Sequence, residues 1–179
     1  MERFRAFLRR KNIVFSAKRY GVDALGAMAQ GLFCTLLVGT ILDTLGTQFH
    51  VGFLSATVVT VGSGEAAVGY TIGGLASLMV GPAMAVAIGS ALQAPPLVLF
   101  SLVPVGYATN VLGGAGGPLA VLVIAIIAAE CGKLVSKETK VDILVTPLVT
   151  IFVGVGLSML IAAPIGAAAS QVGTLIMWA

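Results

Sequence analysis

The sequence predicts an all-α polytopic membrane protein with about five transmembrane helices and re-entrant or broken segments between them. Three observations carry that prediction. Of the 179 residues, 58% are hydrophobic and only 9% charged, with a mean hydropathy of +1.07. A soluble domain carries roughly a quarter charged residues to solvate its surface, so lipid is the expected solvent. Stretches such as LAVLVIAIIAA (119–129) are continuously apolar, whereas a β-barrel needs segments of about 10 residues that alternate apolar and polar. Finally, the only charges between Asp23 and Glu130 are Asp43 and Glu65, and none follows Asp142.

Residues 1–20 hold seven of the ten Lys and Arg against one Glu. They form a basic arm that the positive-inside rule keeps in the cytoplasm. Phe4, Phe7, Leu8 and Phe15 give residues 3–15 the pattern of an amphipathic surface helix. A signal peptide also begins basic, but its apolar core is shorter than the stretch that follows here. That stretch is the first span, 22–46, with Asp23 capping its start and Asp43 without an evident role. His50, the only histidine, falls in an outer loop with no second ligand or base beside it and reads as a surface residue.

Residues 53–63 read as a short interfacial or re-entrant piece, and 66–91 as the second span. In the latter Gly69, Gly73, Ser77, Gly81, Ala85 and Gly89 recur every four residues. Small residues at that spacing let helix backbones approach closely in lipid. Such a stripe drifts about 40° per step around a 3.6-residue turn, so it should serve more than one neighbour. QAPP (93–96) ends that helix, because proline lacks a donor and restricts the residue before it. The third span, 97–111, is short and interrupted by Pro104, and GGAGGP (113–118) is a flexible turn. The fourth and fifth spans are 119–135 and 141–164, and 165–179 begins a re-entrant piece or a sixth helix. The chain thus divides into an arm, 1–20, and a transmembrane domain, 21–179.

Charge returns in one island. Residues 131–147, CGKLVSKETKVDILVTP, collect Lys133, Lys137, Glu138, Lys140 and Asp142 just after Glu130. Four spans bring the chain back to the side of its N-terminus at 130–142, where three Lys in a short loop fit the positive-inside rule. Glu130 is expected to pair with Lys133 or Lys137 at that surface, an exposed pair being worth about 0–1 kcal/mol. Lys133, Lys137, Glu138 and Lys140 are the expected contacts for a cytoplasmic partner. Cys34 and Cys131 read as small apolar packing residues. With no CxxC and no Cys/His cluster, neither a metal nor a cofactor is expected. The net charge of +3 lies mostly in the arm and argues for orientation rather than nucleic acid.

Three residues are candidates for substrate binding. An ionisable group at membrane depth is costly and therefore a functional candidate. Glu65, in VGSGEAAVGY, follows glycines suited to a broken helix whose freed N–H groups bind polar ligands. The same GSGE also reads as an outward polar loop, with Glu65 favouring a helix dipole. Gln93 and Asn110 flank the proline-broken third segment; amides suit sugar hydroxyls because each donates and accepts, and both equally suit helix-end capping.

GKLVSKETKVDILVTP (132–147), QAPPLVLFS (93–101) and VDALGAMAQGLF (22–33) resemble a bacterial family of phosphotransferase-system membrane subunits, the IIC-like sugar transporter subunits. The resemblance runs through nearly the whole chain, and VSKETKVDI (135–143) is its most specific part. It implies a permease of the bacterial inner membrane that takes a sugar from outside. A cytoplasmic IIB-like partner would phosphorylate the sugar during passage, and the phospho-accepting residue belongs to that partner. No catalytic residue is therefore implied in this chain. Family members continue through further helices past the point matching Trp178, which implies a homodimer or assembly with a C-terminal half. The expected mechanism is alternating access around the proline- and glycine-broken segments. An alternative is a non-transporting receptor or regulator that binds a fatty acid or other lipid, which the very apolar lining suits.

Overall fold

Large apolar side chains face outward over much of the fold, as a bundle solvated by lipid requires. Phe100, Ile143, Phe152, Met159 and Leu160 are all exposed, Phe152 to 79%, a surface that water would not tolerate over so wide an area. The computed structural model describes the backbone of residues 2–178 and the side chains of residues 6–171.

Helix α1 (Glu2–Arg10) is the amphipathic arm; Phe4 lies outside the described side chains. Helix α2 runs unbroken over Lys18–Gln48, with π-helical turns at Lys18–Asp23 and Phe33–Leu37. Because the helical backbone begins at Lys18, Asp23 sits inside it and makes no capping bond, contrary to the sequence reading. A short helix α3 (Gly52–Ser55) leads to strands β1 (Val59–Val61) and β2 (Val68–Tyr70). They pair antiparallel with Val59 opposite Tyr70 and Val61 opposite Val68.

The hairpin takes residues that the sequence reading assigned to a helix from 66. Thr71 instead caps helix α4 (Ile72–Leu78), its Oγ1 accepting from the Gly74 N–H at 2.9 Å. Helix α5 (Val80–Ala91) follows after a 52° bend. Pro82 explains the bend, since it lacks the N–H that would have bonded to the Leu78 carbonyl.

Helices α6 (Pro96–Gly113) and α7 (Gly117–Val135) form a hairpin turned at Gly114, which has φ +54°. Val98 lies against Gly132, and Asn110 against Gly117. Pro104 lies inside α6 without ending it. At 1.5 Å per residue each arm of the hairpin is about 27–29 Å long, close to the hydrocarbon thickness of about 30 Å. Helix α8 starts at Asp142–Leu157 and continues through a π-helical turn, Ser158–Ala162, into Ala163–Trp178. Residues 165–178 thus extend the preceding helix and form neither a re-entrant piece nor a separate sixth helix. The wide turn just before Pro164 accommodates that proline's missing donor. Three helical stretches are long and apolar enough to cross a membrane, and the bent α4–α5 pair makes a fourth. One of the three, Pro96–Val135, is the α6–α7 hairpin and supplies two passes.

Glycine contacts position the helices. On the second-span stripe, Gly73 and Ser77 meet Gly39 of α2, whereas Gly81, Ala85 and Gly89 meet α6 at Gly106, Leu99 and Leu102. The stripe therefore serves two neighbours, as its drift predicts. Gly69 is excluded from it, lying in β2. A second stripe on α8 was not picked out from the sequence: Thr146, Thr150, Gly154, Ser158 and Ala162 are all buried at four-residue spacing. Thr150 packs on Gly132, Gly154 on Val105, and Ser158 hydrogen-bonds Thr109 at 2.6 Å.

Candidate functional site

The charged side chains of the arm and of the island converge on one end of the bundle, around the ammonium of Lys133. Two helix ends create the place for it. Helix α1 closes with Asn12 at φ +54°, the Asn12 N–H bonding to Arg9 O and the Ile13 N–H to Leu8 O. Helix α5 closes the same way, with Gln93 at φ +54°, the Gln93 N–H on Ser90 O and the Ala94 N–H on Gly89 O. Both are Schellman endings, which leave nearby carbonyls pointing away from the helix. Lys133, 1% exposed, donates to Asn12 O at 3.0 Å and Leu92 O at 3.1 Å. Its charge thereby meets the negative ends of two helix dipoles.

The third partner is Glu130, one turn back on α7. Lys133 Nζ lies 3.1 Å from Glu130 Oε1 and 2.9 Å from Oε2, and Tyr20 Oη donates to Oε1 at 3.0 Å. Arg19 donates to Leu92 O at 2.5 Å and to Asn12 Oδ1 at 3.2 Å, while Asn12 Nδ2 donates to Gln93 Oε1. Four chain segments are thus tied together by charge-assisted hydrogen bonds, which are about twice as strong as neutral ones.

Outside this hub the arm is strapped to the island. Glu138 Oε1 takes Arg10 at 2.9 Å and Lys11 at 2.6 Å, and Lys11 also donates to Ser136 O. The Lys11 hydrogen bond, reinforced by the charges of Lys11 and Arg10, holds the Glu138 carboxyl below its ordinary value. A depressed carboxylate pKa contributes stability that is complete above the unfolded value, about 4.3, and is lost as pH falls through the folded value. The strap should therefore stay shut at the ordinary carboxylate value and release the Arg10 end of the arm only as pH falls through the lower, folded one. Spin labels at positions 9 and 140 should report one short distance above that pH and a broad distribution below. Glu138→Gln should broaden the distribution at every pH, and a distance that ignores both changes would refute the strap.

Comparison of the sequence with family models matches residues 22–179 to the family described as phosphotransferase system, EIIC. The chain belongs to that family. It is accordingly a membrane protein, a permease subunit of a sugar phosphotransferase system that works with IIB partners. No curated protein matches it, and no solved structure does. The lipid-receptor alternative gains nothing from this: the apolar groove of about 420 Å³ beside Met79, Pro82 and Tyr107 opens on the surface of the bundle, where bilayer lipid would fill it.

In this EIIC chain the residues expected to bind substrate are not brought together. Glu65 is exposed in a 3-10 turn between β1 and β2. Asn110, half-buried on α6, packs near Gly81 and Gly117 at the same end of the bundle as the hairpin. Gln93 is at the opposite, basic end, engaged with Asn12. Among the island residues, Lys137, Glu138 and Lys140 are exposed, whereas Lys133 is not in the loop at all but inside α7. Its pair with Glu130 is buried rather than superficial. The cysteines are free, Cys34 exposed and Cys131 half-buried.

The sequence reading missed Asn12, Arg19 and Tyr20 as hub members and left Asp43 without a role. Asp43 Oδ1 accepts from Thr71 Oγ1 at 2.6 Å, beside the N-terminus of α4. This places a carboxylate where a half-helix dipole favours it. The available signal was a lone acid in an apolar span, the same rule that singled out Glu65.

Proposed function

We propose that this permease subunit carries a small polar sugar across the bacterial inner membrane by alternating access, with its N-terminus and basic end in the cytoplasm. One observation carries the reading: every Lys and Arg among the described side chains lies at one end of the bundle. The arm meets the island there through the Arg10–Glu138 and Lys133–Asn12 bonds. Such one-sided basicity is what the positive-inside rule requires of the cytoplasmic face. On that face the exposed Lys137, Glu138 and Lys140 are the surface we assign to the IIB-like partner. Glu65 and Asn110 lie toward the outer end and Gln93 at the inner gate, so in this reading they meet the sugar in turn rather than forming one pocket.

The gate would be the strap itself. It joins the arm to the α7–α8 turn, the neighbouring Asn12–Gln93 bond adds the α5–α6 turn, and such polar bonds are exchanged for water at modest net cost. The bend between α4 and α5 supplies the broken helix on which such transport turns. A disulfide across the strap, from Lys11→Cys and Glu138→Cys with Cys34 and Cys131 replaced, tests this. In cells supplying the other phosphotransferase components, sugar uptake should fall at least about ten-fold on oxidation and return with reductant. Uptake that continues through the locked strap would sink the gating reading.

A further inference from the structure

We infer that the cleft between the arm and the Ser136–Glu138 turn is a binding site for a phosphate monoester. The cleft measures about 430 Å³, room for a small phosphorylated molecule rather than a bare ion. Arg10, Lys11, Lys133 and Lys137 bring four cations to its wall against the carboxylate of Glu138, and Glu130 offsets Lys133 from beneath. Four cations and two carboxylates leave a surplus of two positive charges. A phosphate monoester carries about −1.5 to −2 at pH 7 and offers three acceptor oxygens, which complements that surplus in both sign and size.

Ser136 supplies the independent sign of a ligand. It lines the cleft and is 3% exposed, yet its Oγ has no hydrogen-bond partner. Buried hydroxyls are almost always paired, and this one is fixed at the wall because Lys11 holds its carbonyl. A phosphate oxygen in the cleft would accept its proton. The Lys137 ammonium, on the next residue, makes no hydrogen bond or salt bridge among the described residues, feels only the nearby Asp142 carboxylate, and supplies the mobile charge. Arg10 and Lys11 are engaged by Glu138, so an arriving phosphate competes with that carboxylate for them. Occupancy would loosen the strap. Lys133 contributes its field alone, since its three donors are already used.

The phosphate monoester has two sources, a soluble phosphorylated sugar or the headgroup of phosphatidic acid, and one experiment separates them. The full chain in phosphatidylcholine nanodiscs is titrated with a hexose 6-phosphate by calorimetry, with the free hexose as control. Saturable binding is expected for the ester and none for the free hexose, weakening with added salt. Ser136→Ala and Lys137→Ala should each reduce affinity about ten-fold, the scale of one charge-assisted bond, with the melting temperature unchanged. Glu138→Gln should raise affinity. Repeating the titration in nanodiscs containing phosphatidic acid assigns the source: competition by the lipid supports a headgroup site, and unchanged affinity supports a soluble ester. Binding of the free hexose equal to that of its ester, absence of saturable binding in the neutral discs, or affinity indifferent to both alanine variants would overturn the inference. Transport is not needed for this readout, so its failure leaves the permease reading untouched.

Discussion

Lys133→Met is expected to destabilise the chain by about 3–5 kcal/mol, the usual consequence of removing one partner of a buried ion pair. The side chains of Lys133 and Glu130 are 1% and 13% exposed, so the abandoned Glu130 carboxylate would keep little solvation and only the Tyr20 hydroxyl at 3.0 Å. Asn12 O would also lose a donor. For a chain of this length the loss corresponds to a fall in melting temperature of roughly 10 °C, measurable by thermal size-exclusion in detergent. The double variant Glu130→Gln/Lys133→Met removes the orphaned charge as well and should recover more than half of the loss, because a neutral pair of similar volume is often tolerated. A single variant that melts within about 2 °C of the parent would show that the hub does not hold the basic end together.

The second large effect is expected where α5 crosses α6. A Cβ on Gly106 would meet the Gly81 carbonyl oxygen and the Ala85 Cβ, and a Cβ on Gly81 would meet the Gly106 carbonyl oxygen. Neither obstacle is the far end of a flexible side chain, so the helices must separate. Gly106→Ala should therefore cost about 1–3 kcal/mol, the range for overpacking a filled interior, and Gly81→Ala a similar amount. In lipid that separation is not compensated by a hydrophobic force between helices, since the tails are as apolar as the side chains. Gly156 is the control, for it lies within α8 with nothing near its missing Cβ. There Gly156→Ala should be neutral or stabilise by up to about 1 kcal/mol through helix propensity. Equal melting temperatures for Gly106→Ala and Gly156→Ala would refute the close crossing.

These predictions draw on features that were unequally visible in the sequence. Composition alone dictates a lipid-solvated helical bundle, because 9% charged residues cannot cover 179 residues in water. The gathering of Lys and Arg into residues 1–20 and 133–140 makes the fold one-sided wherever those segments lie. Four-residue spacing of Gly73, Ser77, Gly81, Ala85 and Gly89 foretells close crossings with two neighbours, since it follows from helix geometry and the absence of bulk. The α8 stripe was equally legible, although Thr and Ser disguise it among polar positions.

The environment of Lys133 is a different matter. Next to Lys137 and Lys140 it reads as one more loop lysine, and nothing local marks it as buried. Its partners Asn12 and Leu92 lie 121 and 41 residues away, and each presents a carbonyl only because its helix ends in a left-handed residue. Packing alone converts two such ends into a cation site. Glu65 shows the converse: local rules proposed a broken helix, but pairing of Val59–Val61 with Val68–Tyr70 settled a hairpin and left its carboxylate exposed. Solvent preference, sidedness and spacing are properties of neighbours along the chain, so they can be read in order. A buried charge is stable only when distant segments complete its hydrogen bonds, and that requirement is met in three dimensions alone.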